Sequence, residues 1–159
     1  MSTAIQIILS AVSGAVTGAL LFSLWFAGYM YVYIQRHGYY PFDLTGMGGT
    51  LENPILSASV TGAIIGAIQG LFTGILIGSL NISDLNKGFL IGFIAAEILI
   101  LLFKVTNRGG NPFIALMAIF LQESRDILQY SLIWFLPSII TGVIVTKIAS
   151  QFFDFDKLR

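Results

Sequence analysis

The stretch Thr61-Gly62-Ala63-Ile64-Ile65-Gly66-Ala67-Ile68-Gln69-Gly70-Leu71-Phe72-Thr73-Gly74-Ile75-Leu76-Ile77-Gly78 sets five glycines at strict four-residue spacing in an otherwise apolar run. Glycine weakens a helix in water, so a helix that carries this many must gain something from them. In lipid the gain is close approach. No hydrophobic effect drives helices together there, and a groove without side chains lets two backbones come near enough for dispersion contact. At about 100° per residue, each step of four overshoots a full turn by about 40°, so the groove winds slowly and suits a right-handed crossing near about −40°. The pattern is a glycine zipper. Its spacing leaves open whether the partner helix belongs to the same chain or to another copy.

Shorter small-residue pairs recur at Gly14/Gly18, Gly88/Gly92 and Gly142/Thr146, and Ser13–Ala19 echoes Thr61–Ala67. Shared packing demands account for the echo without a tandem duplication. The composition points the same way. The chain has 159 residues, 56% hydrophobic and 10% charged, whereas charged residues make up about a quarter of a soluble protein. Lys and Arg balance Asp and Glu at eight each, which leaves no basic surface for nucleic acid and no polybasic lipid-binding stretch. The lack of cysteine excludes disulfides, thiolate catalysis and iron–sulfur clusters.

Crossing about 30 Å of hydrocarbon takes about 20 helical residues. Runs of that order fall at approximately 4–34, 55–80, 84–104 and 127–150. The sequence therefore predicts an all-α integral membrane protein, a multi-pass bundle of about four transmembrane helices packed through small residues, as one domain. The first run is read as a retained span, since a signal peptide needs a basic start and no Lys or Arg precedes Arg36. Asn53-Pro54 and Asn111-Pro112 each set a capping side chain before a proline that suits a first helical turn. Phe113–Leu121 is too short to cross and predicts an interfacial or re-entrant helix over approximately 112–124, before the last span. Aromatic residues mark the interfaces at Tyr29, Tyr31, Tyr33, Tyr39 and Tyr40, at Tyr130 and Trp134, and at Phe152, Phe153 and Phe155. Lys/Arg counts tie at four on each side of a four-span chain, so orientation stays open.

Polar residues inside the spans carry any chemistry. Glu97 falls near the middle of the third span, where a charge costs at least about 2.5 kcal/mol and must be neutral, paired or facing water. The turn between spans two and three centres near Ser83, with Gln69 fourteen residues before it and Glu97 fourteen after. The two are expected at one depth and facing each other, either as a proton or cation site or as a buried hydrogen bond. Pro137 removes one backbone hydrogen bond from the fourth span and is expected to kink it, with Ser138 or Thr141 able to satisfy freed carbonyls. His37, the single histidine, falls in the headgroup region without a second ligand beside it. The glycine-rich Asp43–Gly49 and Arg108-Gly109-Gly110-Asn111 read as a loop and a tight turn.

Catalysis needs a converging nucleophile, base and orienting group, or a metal set, and neither is legible here. The expectation is a non-enzyme without cofactor or metal, in contact with lipid and with other membrane subunits or copies of itself, in a bacterial inner membrane or another energy-transducing membrane. The leading expectation is a structural or accessory subunit docking through its glycine zipper. The alternative is a small channel, transporter component or holin-like permeabiliser with a site at Glu97 and Gln69. The packing positions under either reading are Gly14, Gly18, Gly62, Gly66, Gly70, Gly74, Gly78, Gly88, Gly92 and Gly142.

Overall fold

The computed structural model describes residues 3–37, 54–107 and 124–155. They form four helices: α1 Thr3–His37, α2 Pro54–Ser79, α3 Leu85–Asn107 and α4 Ser124–Phe155. The helix expected over 112–124, the Asn111-Pro112 start and the two glycine-rich loops lie outside these residues, save Ser124 itself. α2 opens on Pro54, whose fixed φ suits a first turn that needs no donor.

The α2–α3 connection shows how local chemistry sets the topology. At the end of α2, Ile82 N donates to the Ile77 carbonyl at 3.1 Å and Asn81 N to that of Gly78 at 3.4 Å. This nested pair is a Schellman closure, which requires a left-handed residue at its centre. Asn81 supplies it with φ 52°, since Asn tolerates that region better than other residues with a Cβ. Ile82 then packs against the cluster that holds Ile77, the apolar contact that accompanies such a closure. Asp84 starts the next helix. Its Oδ1 accepts from Asn86 N at 2.9 Å and its carbonyl accepts from Gly88 N at 3.0 Å, satisfying donors that a helix start leaves orphaned. The chain therefore reverses within five residues, Leu80 to Asp84.

α1 and α2 form an antiparallel pair along most of α2, and α4 packs on α1, α2 and α3. α3 touches α4 and α2 but not α1 among the described residues, so it sits at the edge. Two buried apolar clusters lie at different levels. One joins Phe22, Phe26, Met30 and Ala58, with Trp134 against it. The other joins Ile77, Ile91, Val145 and Ala149.

Two helices among the described residues are long and apolar enough to cross a membrane, Ala4–Arg36 and Pro54–Ser79, with mean hydropathies of 2.0 and 1.9. Only 28% and 39% of these windows are buried. Rows of large apolar side chains stand exposed instead, Ile8, Val12, Val16, Leu20 and Leu24 on α1 and Leu56, Val60, Ile64 and Ile68 on α2. A helix in the core of a soluble protein would hide such rows, and a contiguous apolar surface of this kind calls for lipid or protein against it.

Candidate functional site

The glycines of α2 are occupied within the chain. A Cβ added at Gly66 would strike the Gly18 carbonyl, one at Gly70 that of Gly14, and one at Gly74 that of Ser10. Gly62 faces Phe22 and Phe26, and Gly78 lies 2.8 Å from the Ile7 Cα by the same measure. From α1, Gly14 meets Gly70 and Gly18 meets Gly66. The two backbones touch from Gly62 to Gly78, about four helical turns, so the glycine face expected to dock another subunit is already covered by α1. The second hairpin repeats the device less completely. Gly88 abuts Thr146 and Gly142, and Gly92 abuts the Ser138 carbonyl.

Ser10, Gln69, Thr73, Ser138, Thr141 and Thr146 are all at 0–1% exposure. Gln69, Thr73, Ser138 and Thr141 form a polar layer between the two apolar clusters, while Ser10, beside Gly74 and Gly78, and Thr146, next to Val145, lie level with the second cluster. α2 and α4 run in the same direction and meet at Ile77 and Val145. Eight residues back along each, Gln69 comes level with the buried Pro137 and, four residues on, Thr73 with Thr141. The hydroxyls near Pro137 bond back to their own helix: Ser138 Oγ donates to the Trp134 carbonyl and Thr141 Oγ1 to the Pro137 carbonyl, each at 2.7 Å. α4 runs through Pro137 as one helix, and the two hydroxyls bond to the Trp134 and Pro137 carbonyls rather than to the carbonyl of Ile133, the one that proline leaves without its backbone donor. Gln69 Nε2 donates to Thr73 Oγ1 at 3.1 Å. Gln69 Oε1, Ser10 Oγ and Thr146 Oγ1 have no hydrogen-bond partner.

The expected meeting of Gln69 and Glu97 does not occur. Their depths do agree, since Ile77 and Ile91 share a cluster and six residues beyond each lie Leu71 and Glu97. Rotation separates them. The buried residues of α3 are Gly88, Ile91, Gly92, Ala95 and Ala96, and at about 100° per residue they fill an arc of about 140° whose centre lies nearly opposite Glu97. Small residues fix which side of α3 turns inward, and Glu97 is left exposed on the outer wall. Its neighbours there are apolar: Leu90, Phe93, Ile94 and Ile98 are exposed at 53%, 36%, 42% and 36%.

The aromatic residues hold a further surprise. Trp134, expected at a membrane interface, meets Phe22 and Phe26 edge-on at 6.0 and 6.2 Å between ring centres, and the two phenylalanines meet each other at 5.9 Å. Such edge contacts add about 0.5–1.5 kcal/mol beyond burial, and they close the bundle on one side of the polar layer. The sequence reading passed over Ser10 and Thr73 as buried polar positions. The four-residue spacing that extends Gly18-Gly14 to Ser10, and Gln69 to Thr73, is the signal that finds them. The described layer offers hydrogen bonds but no titratable group, so its chemistry is that of orientation and solvation. Comparison with protein families, with curated proteins and with solved structures gives no match to this chain.

Proposed function

We propose that the chain is a four-span membrane bundle serving as a structural or accessory subunit of a membrane complex, without catalytic activity of its own. The observation that carries this reading is Glu97, a carboxylate exposed at the middle of α3 on an otherwise apolar outer wall. Lipid is a poor neighbour for that group, and the side of α3 that bears it has no helix of the chain's described residues upon it. In this reading the glycine zipper builds the subunit's own scaffold, and the docking surface lies elsewhere on the wall. Backbone contact at Gly14/Gly70 and Gly18/Gly66 supports a rigid unit rather than one that opens.

Gentle extraction from the native membrane followed by native mass measurement tests the reading. A particle heavier than the single 17.3 kDa chain, containing other membrane proteins, is the expected result, and a lone monomer would overturn it. The cysteine-free sequence suits single-cysteine labelling for the topology. Four spans require Ser2, Ser83 and Lys157 to label from one side and Gly46 and Gly109 from the other.

A second reading, a small channel or transporter component, draws on the fully buried polar layer and the unpartnered Gln69 Oε1. It requires conduction by reconstituted protein that is lost in Gln69→Leu.

A further inference from the structure

We infer that the outer face of α3 receives a transmembrane helix of a different protein, one that presents a Lys or Arg side chain to Glu97. The inference rests on the accessory-subunit reading and names the chemistry of its partner.

Three observations carry it. First, Glu97 stands at mid-helix, which in the four-span reading is too deep to reach water. It is twelve residues from Leu85 and ten from Asn107, a helical rise of about 15 Å or more either way, whereas a glutamate side chain extends only a few ångströms. Second, it is a lone acid on a prepared surface. Leu90 precedes it by seven residues and Phe93 by four, so all three lie along one stripe of the helix, and all three are exposed among the described residues. Phe93 is braced from within by stacking on Phe135, 4.6 Å between ring centres and 15° between planes, so the wall beside Glu97 is firm.

Third, the described helices of a second copy of this chain do not supply the charge. Its Lys and Arg residues are Arg36, Lys87, Lys104, Arg108, Arg125, Lys147, Lys157 and Arg159. Those within helices fall towards their ends: Arg36 near the end of α1, Lys87 and Lys104 near the two ends of α3, Arg125 at the start of α4 and Lys147 in its last third. None of these five stands at the middle depth where Glu97 lies. A symmetric pair of copies would set Glu97 against Glu97, like against like. A complementary cation from another polypeptide pairs the charge, as intramembrane charges pair with one another.

The test places a photo-crosslinking amino acid at Leu90 in the full chain, expressed in its native membrane, with a second at Ile64 on the outer face of α2 as a comparison. The expected adduct at Leu90 joins a second protein through a peptide from an apolar span with a central Lys or Arg. In Glu97→Leu the adduct falls at least about ten-fold, and in Glu97→Lys it is lost, then restored when the partner's basic residue is changed to Glu. Glu97→Leu removes an exposed charge and leaves the buried face intact, so the extracted variant keeps its thermal unfolding midpoint. Adducts between two copies, adducts with lipid alone, or a partner span without a basic residue would each overturn the inference. If the native particle remains heavy while Leu90 captures lipid alone, the accessory-subunit reading stands and this inference fails. If the native particle is a monomer, both fail.

Discussion

Gly14 and Gly70 lie backbone to backbone, so that a Cβ placed on either would run into the carbonyl group of the other. The obstacle is main chain, which cannot swing aside as a flexible side chain can, and the same holds at Gly18 and Gly66. Overpacking a tight contact costs about 1–3 kcal/mol. Gly70→Ala and Gly18→Ala are expected to lose stability in that range, measured by detergent-induced unfolding followed by circular dichroism. Gly28 has nothing within 4 Å of a Cβ, and Gly28→Ala on the same helix is the comparison expected to be neutral or better. Equal losses at Gly28 and Gly70 would mean that backbone freedom, not contact between α1 and α2, is being measured.

The α2–α3 reversal depends on the left-handed conformation of Asn81 (φ 52°) and on the Asp84 carboxylate bond to Asn86 N. A β-branched residue resists that backbone region, so Asn81→Val should cost about 1–2 kcal/mol, while Asn81→Gly should be tolerated. Asp84→Ala should cost about 1 kcal/mol through loss of the cap. Both predictions are read from unfolding midpoints, and a tolerated Asn81→Val would show that the closure does not hold this turn.

The four helices coincide with the apolar runs of the sequence because periodicity and length are local properties that a chain displays residue by residue. The glycine row was equally plain, and yet its partner was not, since spacing records that a backbone approaches and not whose backbone it is. Glu97 shows a second boundary. Counting from the turn gave its depth, because helical rise accumulates evenly on both sides of Ser83. It did not give the direction it faces, which is set by where Gly88, Gly92, Ala95 and Ala96 lie on α3. Those small residues lie opposite Glu97 around the helix, and a small-residue face turned inward sets the acid outward. The meeting of Trp134 with Phe22 and Phe26 depends on three segments far apart in sequence, and no local pattern records it.

Ser23 and Ser59 join α1 to α2 by a hydroxyl–hydroxyl bond of 2.7 Å, one turn beyond the contact of Gly62 with Phe22. Hydrogen bonds between membrane helices average about 0.6 kcal/mol in double-mutant cycles, because the separated helices find other partners in the membrane. The cycle Ser23→Ala, Ser59→Ala is expected to give a coupling of that size, small beside the losses at Gly70 and Gly18. A coupling above about 2 kcal/mol would place the main adhesion of the hairpin in this bond rather than in glycine contact.

Gln69 sits fully buried with its amide donor used and its carbonyl oxygen unpartnered, an arrangement that costs stability unless the oxygen is solvated. Replacing such a group by an apolar one of similar shape is neutral or stabilising, since the orphaned acceptor goes with it. Thr73 loses its donor, yet its hydroxyl can turn to donate to the carbonyl four residues back. Gln69→Met is therefore expected to change stability by less than about 1 kcal/mol in the unfavourable direction. Gln69→Ala opens space in a closed layer and should cost about 2–4 kcal/mol. The pair separates two effects that a single substitution would merge, since the alanine variant reports packing and the methionine variant reports polarity. If Gln69→Met costs as much as Gln69→Ala, the Oε1 atom is satisfied in the membrane by something other than protein. A hydrated or cation-bound layer would then favour the transport reading over that of an accessory subunit.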